Sequence, residues 1–250
     1  MVIRPLLAIA LVALVAAIPV VSVSNPGSGL RTLEAGGGKQ VAVWVHGYAA
    51  APADWVPFVD TIRLPGGYRF VFPEGPEATT PPDGPVGGRA WWRLGLSDYR
   101  SSPSAPADLS RVHPEGLVDA AGRVRRLLAE VRTRTGGDSR RAILGGFSQG
   151  AMISAEVAFE SDERLRALVL LSDTMVDEAR LAAALPKRRG LPVFISHGRR
   201  DDILPFAAAV RLQQTLRQAG LRVTWYPFEG GHEIPAEVVT GLNQFLATLP

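Results

Sequence analysis

Gly145-Gly146-Phe147-Ser148-Gln149-Gly150 is the stretch of sequence that decides the fold, and short apolar runs lie on both sides of it. Its core is Gly-x-Ser-x-Gly, which predicts a strand turning sharply into a helix, with the serine hydroxyl held clear of the sheet by a strained backbone. A Cβ at either glycine position would crowd the neighbouring strand and helix, which explains the glycines. Ser148 is therefore a candidate nucleophile. An ordinary glycine-rich strand–helix connection is the alternative, and the rest of the chain has to decide between them.

The composition indicates a globular protein. Of the 250 residues, 46% are hydrophobic and 20% are charged, which is enough for one α/β domain with a large core. The formal net charge is +3, and the basic residues are scattered among acidic ones, so we expect no nucleic-acid partner. There is no cysteine, which excludes a catalytic thiol, disulfides and thiolate metal sites. The four histidines form no metal-binding pair and no glycine-rich cofactor motif is present, so we predict neither metal nor cofactor.

The amino terminus predicts export. After Arg4, residues 6–23 carry no charge, and small residues and a turn-like Asn25-Pro26-Gly27 follow. A short basic start, an apolar middle and small residues at the end are typical of a bacterial export signal. We therefore predict that residues 1–24 are a cleaved export signal and that the protein is periplasmic or extracellular. An uncleaved membrane anchor is the alternative, because the run is long for a signal; membrane contact would then be limited to this segment.

Strands and helices alternate through the remaining single domain, predicted over residues 30–250. Continuous apolar runs predict buried strands, and amphipathic stretches predict helices. The predicted strands are 40–45, 68–72, 141–144, 165–171, 192–196 and 223–228, after an edge strand within 30–38; the predicted helices are 54–62, 117–132, 149–159, 206–219 and 236–249. This pattern predicts a mostly parallel sheet with helices on both faces, whose ligands bind at the carboxyl ends of the strands. Residues 73–114 are too long for a simple connector, so we expect a functional loop there.

Two further strand ends supply the partners that a serine nucleophile needs, a base to take its proton and an acid to orient that base. Asp201 follows the strand that ends at residue 196, and His232 follows the strand that ends near 228. Asp202 and Asp173 are alternative acids, and a surface role is the alternative for His232. A serine, an acid and a histidine in that order, each after a strand, favour a catalytic site over a chance pentapeptide.

The chain resembles the phospholipase/carboxylesterase family of α/β-hydrolases, which includes the acyl-protein thioesterases. The similarity runs from about residue 41 to the end of the chain. It is carried by four motifs: His46-Gly47-Tyr48, Gly146-Phe147-Ser148-Gln149-Gly150, His197-Gly198-Arg199-Arg200-Asp201 and Gly231-His232-Glu233-Ile234. The resemblance implies an α/β-hydrolase fold and a catalytic triad of Ser148, Asp201 and His232. It also implies an oxyanion hole made by the backbone N–H groups of Tyr48 and Gln149.

Other residues of these motifs have less definite roles. Trp91-Trp92 resembles the aromatic pair that follows the family's proline-rich segment, and we expect one ring in the core and the other on the wall of the acyl pocket. His46 and His197 lie beside turn glycines, so we expect them to be structural. Tyr48 is bulky for its turn, and the predicted export departs from the many cytosolic members of the family. The departure favours small or lipid-like esters met outside the cytoplasm over protein deacylation.

The sequence thus predicts a serine hydrolase of carboxylic esters, with thioesters as a second substrate class. Ser148 would form an acyl-enzyme, His232 would act as base and then acid, and Asp201 would hold the imidazole. Amide, peptide or polyester substrates on the same triad are one alternative. A non-catalytic binding protein of the same fold is another, and the intact Ser148, Asp201 and His232 argue against it.

Overall fold

A computed structural model describes residues 18–64, 67–81, 85–93 and 105–250. The strands are β1 (Val20–Asn25), β2 (Leu30–Ala35), β3 (Gln40–Val45), β4 (Tyr68–Pro73), β5 (Glu77–Ala78), β6 (Arg89–Ala90), β7 (Ile143–Phe147), β8 (Ala167–Leu171), β9 (Pro192–Gly198) and β10 (Arg222–Phe228). The helices are α1 (Phe58–Thr61), α2 (Leu117–Thr135), α3 (Gln149–Glu160), α4 (Glu178–Ala184), α5 (Phe206–Gln218) and α6 (Ala236–Ala247).

Eight of the strands form one sheet in the order β1-β2-β4-β3-β7-β8-β9-β10. The six strands from β4 to β10 in that order are parallel, and β2 is antiparallel to both β1 and β4. This arrangement confirms the predicted mostly parallel sheet. Phe147 pairs with Leu171, and Leu171 pairs with Ser196, so β7, β8 and β9 end side by side. The residues that follow these strands therefore meet at one edge.

Apolar layers cover both faces of the sheet. Neighbouring residues of one strand point to opposite faces, so Val43 packs in the layer that includes Val124 of α2 and Leu212 of α5. Trp44 packs in the other layer, with Leu242 of α6. Because both faces are buried, the strand sequences are apolar throughout rather than alternating. The predicted helices on both faces of a single domain are confirmed.

The predicted secondary structure differs in detail from the observed one. In place of the helix predicted over 54–62, a 3-10 turn (Pro52–Trp55) precedes the short helix α1. Pro57 lies between them, and a proline lacks the N–H that a continuous helix needs. The helix α4 was not predicted, because seven residues are too few for a clear period. Within the described part of the 73–114 loop, β5 and β6 form a separate antiparallel pair.

The strand β1 lies at the outer edge of the sheet and overlaps the segment 1–24 that the sequence predicts to be an export signal. Its pairing with β2 runs from Val20 opposite Ala35 to Asn25 opposite Leu30, so β2 is not the edge strand that was predicted. The apolar residues 1–17 of the predicted signal lie outside the described residues. Within the described ranges, we find no helix that is both long enough and apolar enough to cross a membrane.

Candidate active site

Ser148 lies at the turn between β7 and α3. Its backbone has φ 54° and ψ −122°, a combination outside the regions that non-glycine residues ordinarily adopt. The turn is fixed from the sheet side, because the Ser148 N–H donates to the Leu171 carbonyl at 2.9 Å. Strain of this kind is typical of a nucleophilic serine held at a strand–helix turn.

Glycines let α3 approach the sheet closely at this turn. A Cβ on Gly150 would lie 2.1 Å from the Val45 carbonyl oxygen. A Cβ on Gly146 would lie 2.4 Å from the Gly150 carbonyl carbon. Both separations are far below van der Waals contact, so any side chain at either position would push α3 away from β3 and β7. The two glycines of the sequence pattern are therefore required by packing, as the sequence predicted.

Asp201 and His232 form a hydrogen-bonded pair at the same edge, with His232 Nδ1 2.7 Å from Asp201 Oδ2. The other carboxylate oxygen accepts the backbone N–H groups of Ile203 at 2.9 Å and Leu204 at 2.8 Å. Burial by itself raises the pKa of Asp201, but the hydrogen bond and charge of His232 and the Leu204 N–H outweigh it and hold this pKa below its usual value. An ionised Asp201 fixes the proton on His232 Nδ1 and leaves Nε2 to act as a base.

His197 lies against the same carboxylate and donates to the backbone carbonyl of Leu204. Its Nε2 lies 3.2 Å from Asp201 Oδ2 and 3.2 Å from the Leu204 carbonyl oxygen. Burial lowers the pKa of His197, although Asp201 opposes this effect. The sequence suggested only a structural histidine here. Its direct contact with the candidate acid could not be inferred from the motif alone.

The His232 ring packs against the residue that precedes Ser148. The His232 ring centroid is 4.7 Å from that of Phe147, the residue immediately before Ser148. Among the described residues, no hydrogen bond joins the Ser148 hydroxyl to His232. Such contacts are often long until a substrate is bound, so a missing bond here does not exclude Ser148 and His232 as a candidate nucleophile and its base.

The two alternative acids are not bonded to His232. Asp202 is exposed. Asp173 is fully buried: its Oδ1 accepts the Thr174 N–H at 2.8 Å, and its Oδ2 has no partner among the described residues. Burial holds the pKa of Asp173 well above its ordinary value, although the Thr174 N–H opposes this. A carboxyl that tends to stay protonated is poorly suited to stabilising an imidazolium.

Two candidate oxyanion donors, the backbone N–H groups of Gln149 and Tyr48, belong to turns that meet at Ser148. Gln149 is the first residue of α3, where the helix supplies no acceptor and its dipole favours negative charge. Gly47 approaches so closely that a Cβ on it would lie 3.4 Å from Ser148 Cβ, and Tyr48 follows directly. Tyr48 is half-buried and lines a small crevice with Glu77. Donors at these two positions are suited to an oxyanion that develops on a substrate carbonyl.

His46 fixes the turn that carries Gly47 and Tyr48. Its Nδ1 lies 2.7 Å from the Gly47 carbonyl oxygen, and its Nε2 accepts the Gly75 N–H at 3.0 Å. Burial lowers the pKa of His46 to about 4, so the ring is neutral at physiological pH, with Nδ1 as the donor. These bonds to two loops agree with the structural role expected from the sequence.

Trp91 and Trp92 are both buried and both bonded to Gln149. The Gln149 side chain accepts the Trp91 backbone N–H at 2.9 Å and donates to the Trp92 carbonyl oxygen at 2.9 Å. The Trp91 indole N–H donates to the His46 carbonyl oxygen at 2.9 Å. Each tryptophan is 2% exposed, and both pack in the apolar layer that includes Val43, whereas one ring was expected on the wall of the acyl pocket.

An apolar pocket of about 100 Å³ opens instead beside Gly47 and Phe147. Its apolar walls include Trp55, Phe58 and Ile234. Sequence reasoning missed these three side chains, because Trp55 and Phe58 look like the core face of a short helix. Their positions just after the His46-Gly47-Tyr48 motif and just after His232 were the available signal.

Among the described residues, no cluster of three or more potential ligands is placed to hold a metal ion.

A strained serine, a histidine–carboxylate pair and a helix amino terminus, together at the carboxyl edge of a parallel sheet, define a serine hydrolase of the α/β-hydrolase class. A family model described as Phospholipase/Carboxylesterase matches residues 34–250, which include all of these residues. The chain therefore belongs to the phospholipase/carboxylesterase family, and it is a carboxylic ester hydrolase.

Individual relatives agree with this assignment. Acyl-protein thioesterase 1 of Schizosaccharomyces pombe is 21% identical over 210 residues, which cover 83% of this chain and 89% of the relative. The crystal structure of esterase PE8 superposes with a TM-score of 0.70 at 23% identity, covering 94% of this chain and 99% of that one. A carboxylesterase from Mesorhizobium loti gives a TM-score of 0.68 at 16% identity, with coverages of 93% and 99%. At these identities the two crystal structures support the fold.

Proposed function

We propose that the protein hydrolyses esters of short acyl groups through an acyl-enzyme on Ser148, with small or lipid-like alcohols as leaving groups and thioesters as a second substrate class. The observation that carries the proposal is the 2.7 Å bond between His232 and Asp201, at the sheet edge where the strained Ser148 lies. The similarity to an acyl-protein thioesterase supports thioesters as the second substrate class.

The proposed reaction follows from the arrangement of these groups. Ser148 Oγ attacks the substrate carbonyl carbon while His232 Nε2 takes the hydroxyl proton, and Asp201 stabilises the imidazolium. The N–H groups of Gln149 and Tyr48 donate to the oxyanion, and one such donor contributes about 2.7–4 kcal/mol in a well-studied serine protease. His232 then protonates the departing alcohol or thiol. Water attacks the acyl-enzyme with His232 as base, and the carboxylic acid and Ser148 are released.

The size of the apolar pocket supports a short acyl chain. At about 100 Å³ it lies below the ~300 Å³ at which pockets for drug-sized molecules begin. We expect kcat/KM for p-nitrophenyl esters to be highest for acetate or butyrate and to fall for decanoate. Phe58→Ala enlarges the pocket and should shift this preference toward longer chains. An unchanged profile in Phe58→Ala would contradict the assignment of the pocket.

Covalent labelling tests the mechanism. A fluorophosphonate probe should label the wild-type protein, and Ser148→Ala should abolish labelling and ester hydrolysis. Ser154→Ala is the matched control. Ser154 lies in α3, the helix that begins directly after Ser148, and its hydroxyl donates to the Gly150 carbonyl of the same helix at 2.8 Å. This variant should be labelled like the wild type. Undiminished labelling of Ser148→Ala would refute the proposed nucleophile.

We also propose that residues 1–24 direct export. The uncharged run 6–23 supports this, with an uncleaved anchor as the alternative. Cleavage directly after residue 24 would remove nearly all of β1, whereas cleavage before Val20 would leave its pairing with β2 intact. The intact mass of protein recovered from the periplasm of a bacterial host distinguishes these cuts. A full-length mass in the membrane fraction would contradict cleavage.

A further inference from the structure

A basic pocket lies at the amino-terminal edge of the sheet, opposite the candidate active site. Its volume is about 380 Å³, and residues at or just before the starts of β7, β8, β9 and β10 contribute to its lining. The candidate catalytic residues follow the other ends of these strands. Seven lining side chains are cationic: Arg140, Arg164, Arg166, Lys187, Arg188, Arg189 and Arg222.

Ion pairs between described residues do not neutralise the positive charge of this pocket. No salt bridge within the described ranges involves any of the seven cationic side chains. Glu163 also lines the pocket, but its carboxylate is bound to Arg132 at 2.6 Å. An ordinary solvated turn would account for the cations of residues 187–189 alone. Cations from four separate segments converging on one cavity are better explained by an anionic ligand.

Three of the arginines are held in place by neutral acceptors. Arg166 donates to the Leu249 carbonyl at 3.0 Å, and Arg188 donates to the Glu163 carbonyl at 3.0 Å. Arg222 donates to a backbone carbonyl as well, that of Gly190, at 2.9 Å. A carbonyl orients a guanidinium without cancelling its charge, so these side chains are ordered while their charge stays available to a ligand.

Two of these guanidinium groups carry buried N–H groups without acceptors. Arg166 Nε and both Nε and Nη2 of Arg188 are inaccessible to solvent and have no hydrogen-bond partner among the described residues. Burial lowers the pKa of Arg188, although Asp162 and Glu163 oppose this effect. A cationic group that is buried with unpaired N–H groups destabilises the folded protein unless negative charge is nearby. An anion in the pocket would add to the negative charge of Asp162 and Glu163.

We propose that this pocket binds a phosphate-bearing anion, either a soluble phosphate compound or the headgroup of an anionic phospholipid. Arginine presents a planar fork of donors that matches phosphate oxygens, and several arginines together suit a group with more than one negative charge. The volume lies within the range of small-molecule pockets. The site is separate from Ser148 and does not depend on the proposed esterase function.

Binding of pyrophosphate to the full chain tests the proposal by isothermal titration calorimetry at constant ionic strength. Arg164→Gln/Arg189→Gln removes two exposed lining charges and should weaken binding at least about tenfold. Arg125→Gln/Arg126→Gln is the matched control, because it removes two exposed charges from α2, outside the pocket. It should bind within about twofold of the wild type. Hydrolysis of p-nitrophenyl acetate should be unchanged in both variants, which confirms that they fold.

Flotation with vesicles of phosphatidylcholine containing phosphatidic acid distinguishes the two sources of phosphate. Both double variants keep residues 1–24, so any difference between them reports the pocket. Saturable pyrophosphate binding that only the pocket variant loses supports a soluble ligand. Vesicle binding that only the pocket variant loses, with no pyrophosphate binding, supports a lipid headgroup. Equal losses in both variants, or no binding of either probe by the wild type, overturn the proposal.

Discussion

Hydrogen bonds select one acid from three carboxylates that the sequence left as candidates. Asp201 alone of the three contacts His232, and Asp202, its neighbour in sequence, is exposed. Replacing the carboxylate by an amide should disturb the His232 tautomer and leave the imidazolium unsupported. Asp201→Asn should therefore lower kcat for p-nitrophenyl acetate by about 10⁴-fold, as the corresponding change does in a serine protease.

Two matched variants control this prediction. Asp202→Asn makes the same chemical change one residue away, and Asp173→Asn makes it at the buried carboxyl after β8. Both should retain kcat within about threefold of the wild type, because neither residue contacts His232. If Asp173→Asn instead lost activity as severely as Asp201→Asn while its circular dichroism stayed native, the acid would be wrongly assigned.

The neutral imidazole of His46 makes stability depend on pH. Burial lowers its pKa to about 4 in the folded protein, against about 6.5 for an ordinary histidine. The unfolded chain therefore binds the proton more readily, so this contribution to stability is fully present above pH 6.5 and is lost as the pH falls toward 4. The difference corresponds to about 3 kcal/mol. Urea unfolding of the wild type and His46→Gln from pH 8 to pH 4 measures it.

Subtracting the variant's profile from that of the wild type isolates this histidine. We expect a decline of the wild-type free energy of unfolding between pH 6.5 and 4 that is clearly shallower in His46→Gln. His113→Gln is the control, because His113 is about half exposed and bonded only at the surface, to Asp177 at 2.9 Å. Its profile should follow that of the wild type. Parallel profiles for all three proteins would contradict the prediction.

At the scale of elements, contact between α3 and the sheet is the most exacting requirement of the fold. Gly150→Ala would place a Cβ 2.1 Å from the Val45 carbonyl oxygen, and backbone has to move to accommodate it. We expect a loss of more than about 3 kcal/mol in the free energy of unfolding, or failure to fold. Chemical denaturation, with circular dichroism as a check on folding, measures the effect.

Gly122→Ala is the matched control for this prediction. It also replaces a glycine inside a helix, but in α2 the nearest atom to the added Cβ is the end of the Arg126 side chain at 3.4 Å. Alanine favours a helix over glycine, so this variant should gain about 0.5–1 kcal/mol. The free energy of unfolding should therefore fall in Gly150→Ala and rise in Gly122→Ala. A destabilised Gly122→Ala would contradict the prediction.

The elements that can be predicted well from the sequence are those that are buried on all sides. The strands β3, β7, β8 and β9 are buried on both faces, so they appear as continuous apolar runs. The strand β1 is mostly exposed, and its apolar residues continue a longer apolar run, so local pattern cannot separate it from an export segment. Pro57 separates a 3-10 turn from a short helix, and hydrophobic periodicity over about ten residues cannot distinguish these two elements from one continuous helix.

In the candidate site, too, some features can be predicted from sequence and others arise only from packing. The order of Ser148, Asp201 and His232, each after a strand, predicts that they share an edge, because parallel strands end together. The bond between the Gln149 side chain and Trp91 joins residues 58 apart in the chain and follows no period. The pocket beside Phe147 and the convergence of arginines at the opposite edge also arise only from packing. None of these can be obtained from spacing.

At the scale of the whole molecule, β1 closes the outer edge of the sheet. The side chain of Asn25 donates to the Leu30 carbonyl at 3.2 Å and to Thr32 at 3.1 Å, and its oxygen accepts from Arg134 of α2 at 3.4 Å. A protein lacking residues 1–25 would lose these bonds and expose the edge of β2. We expect its Tm to lie roughly 5–10 °C below that of a protein lacking only residues 1–17.

Differential scanning fluorimetry of the two truncated proteins measures this difference, and size-exclusion chromatography should show more aggregation for the shorter one. Ester hydrolysis at 25 °C should be the same for both, because β1 is remote from Ser148 in the sheet order. Equal Tm values would mean that β1 contributes nothing to the stability of the domain, and would favour a natural cleavage after residue 24.

The bond from the Gln149 side chain to Trp91 and Trp92 has a consequence for how this scaffold can diversify. The main chain of Gln149 adjoins Ser148, the candidate nucleophile, while its side-chain amide holds Trp91 and Trp92. We therefore expect the Ser148 turn to stay in place when the chain beyond Trp92 is lengthened, shortened or exchanged. Insertion or recombination should be tolerated there, in evolution or in directed libraries, whereas Gln149 is constrained through both its main chain and its side chain.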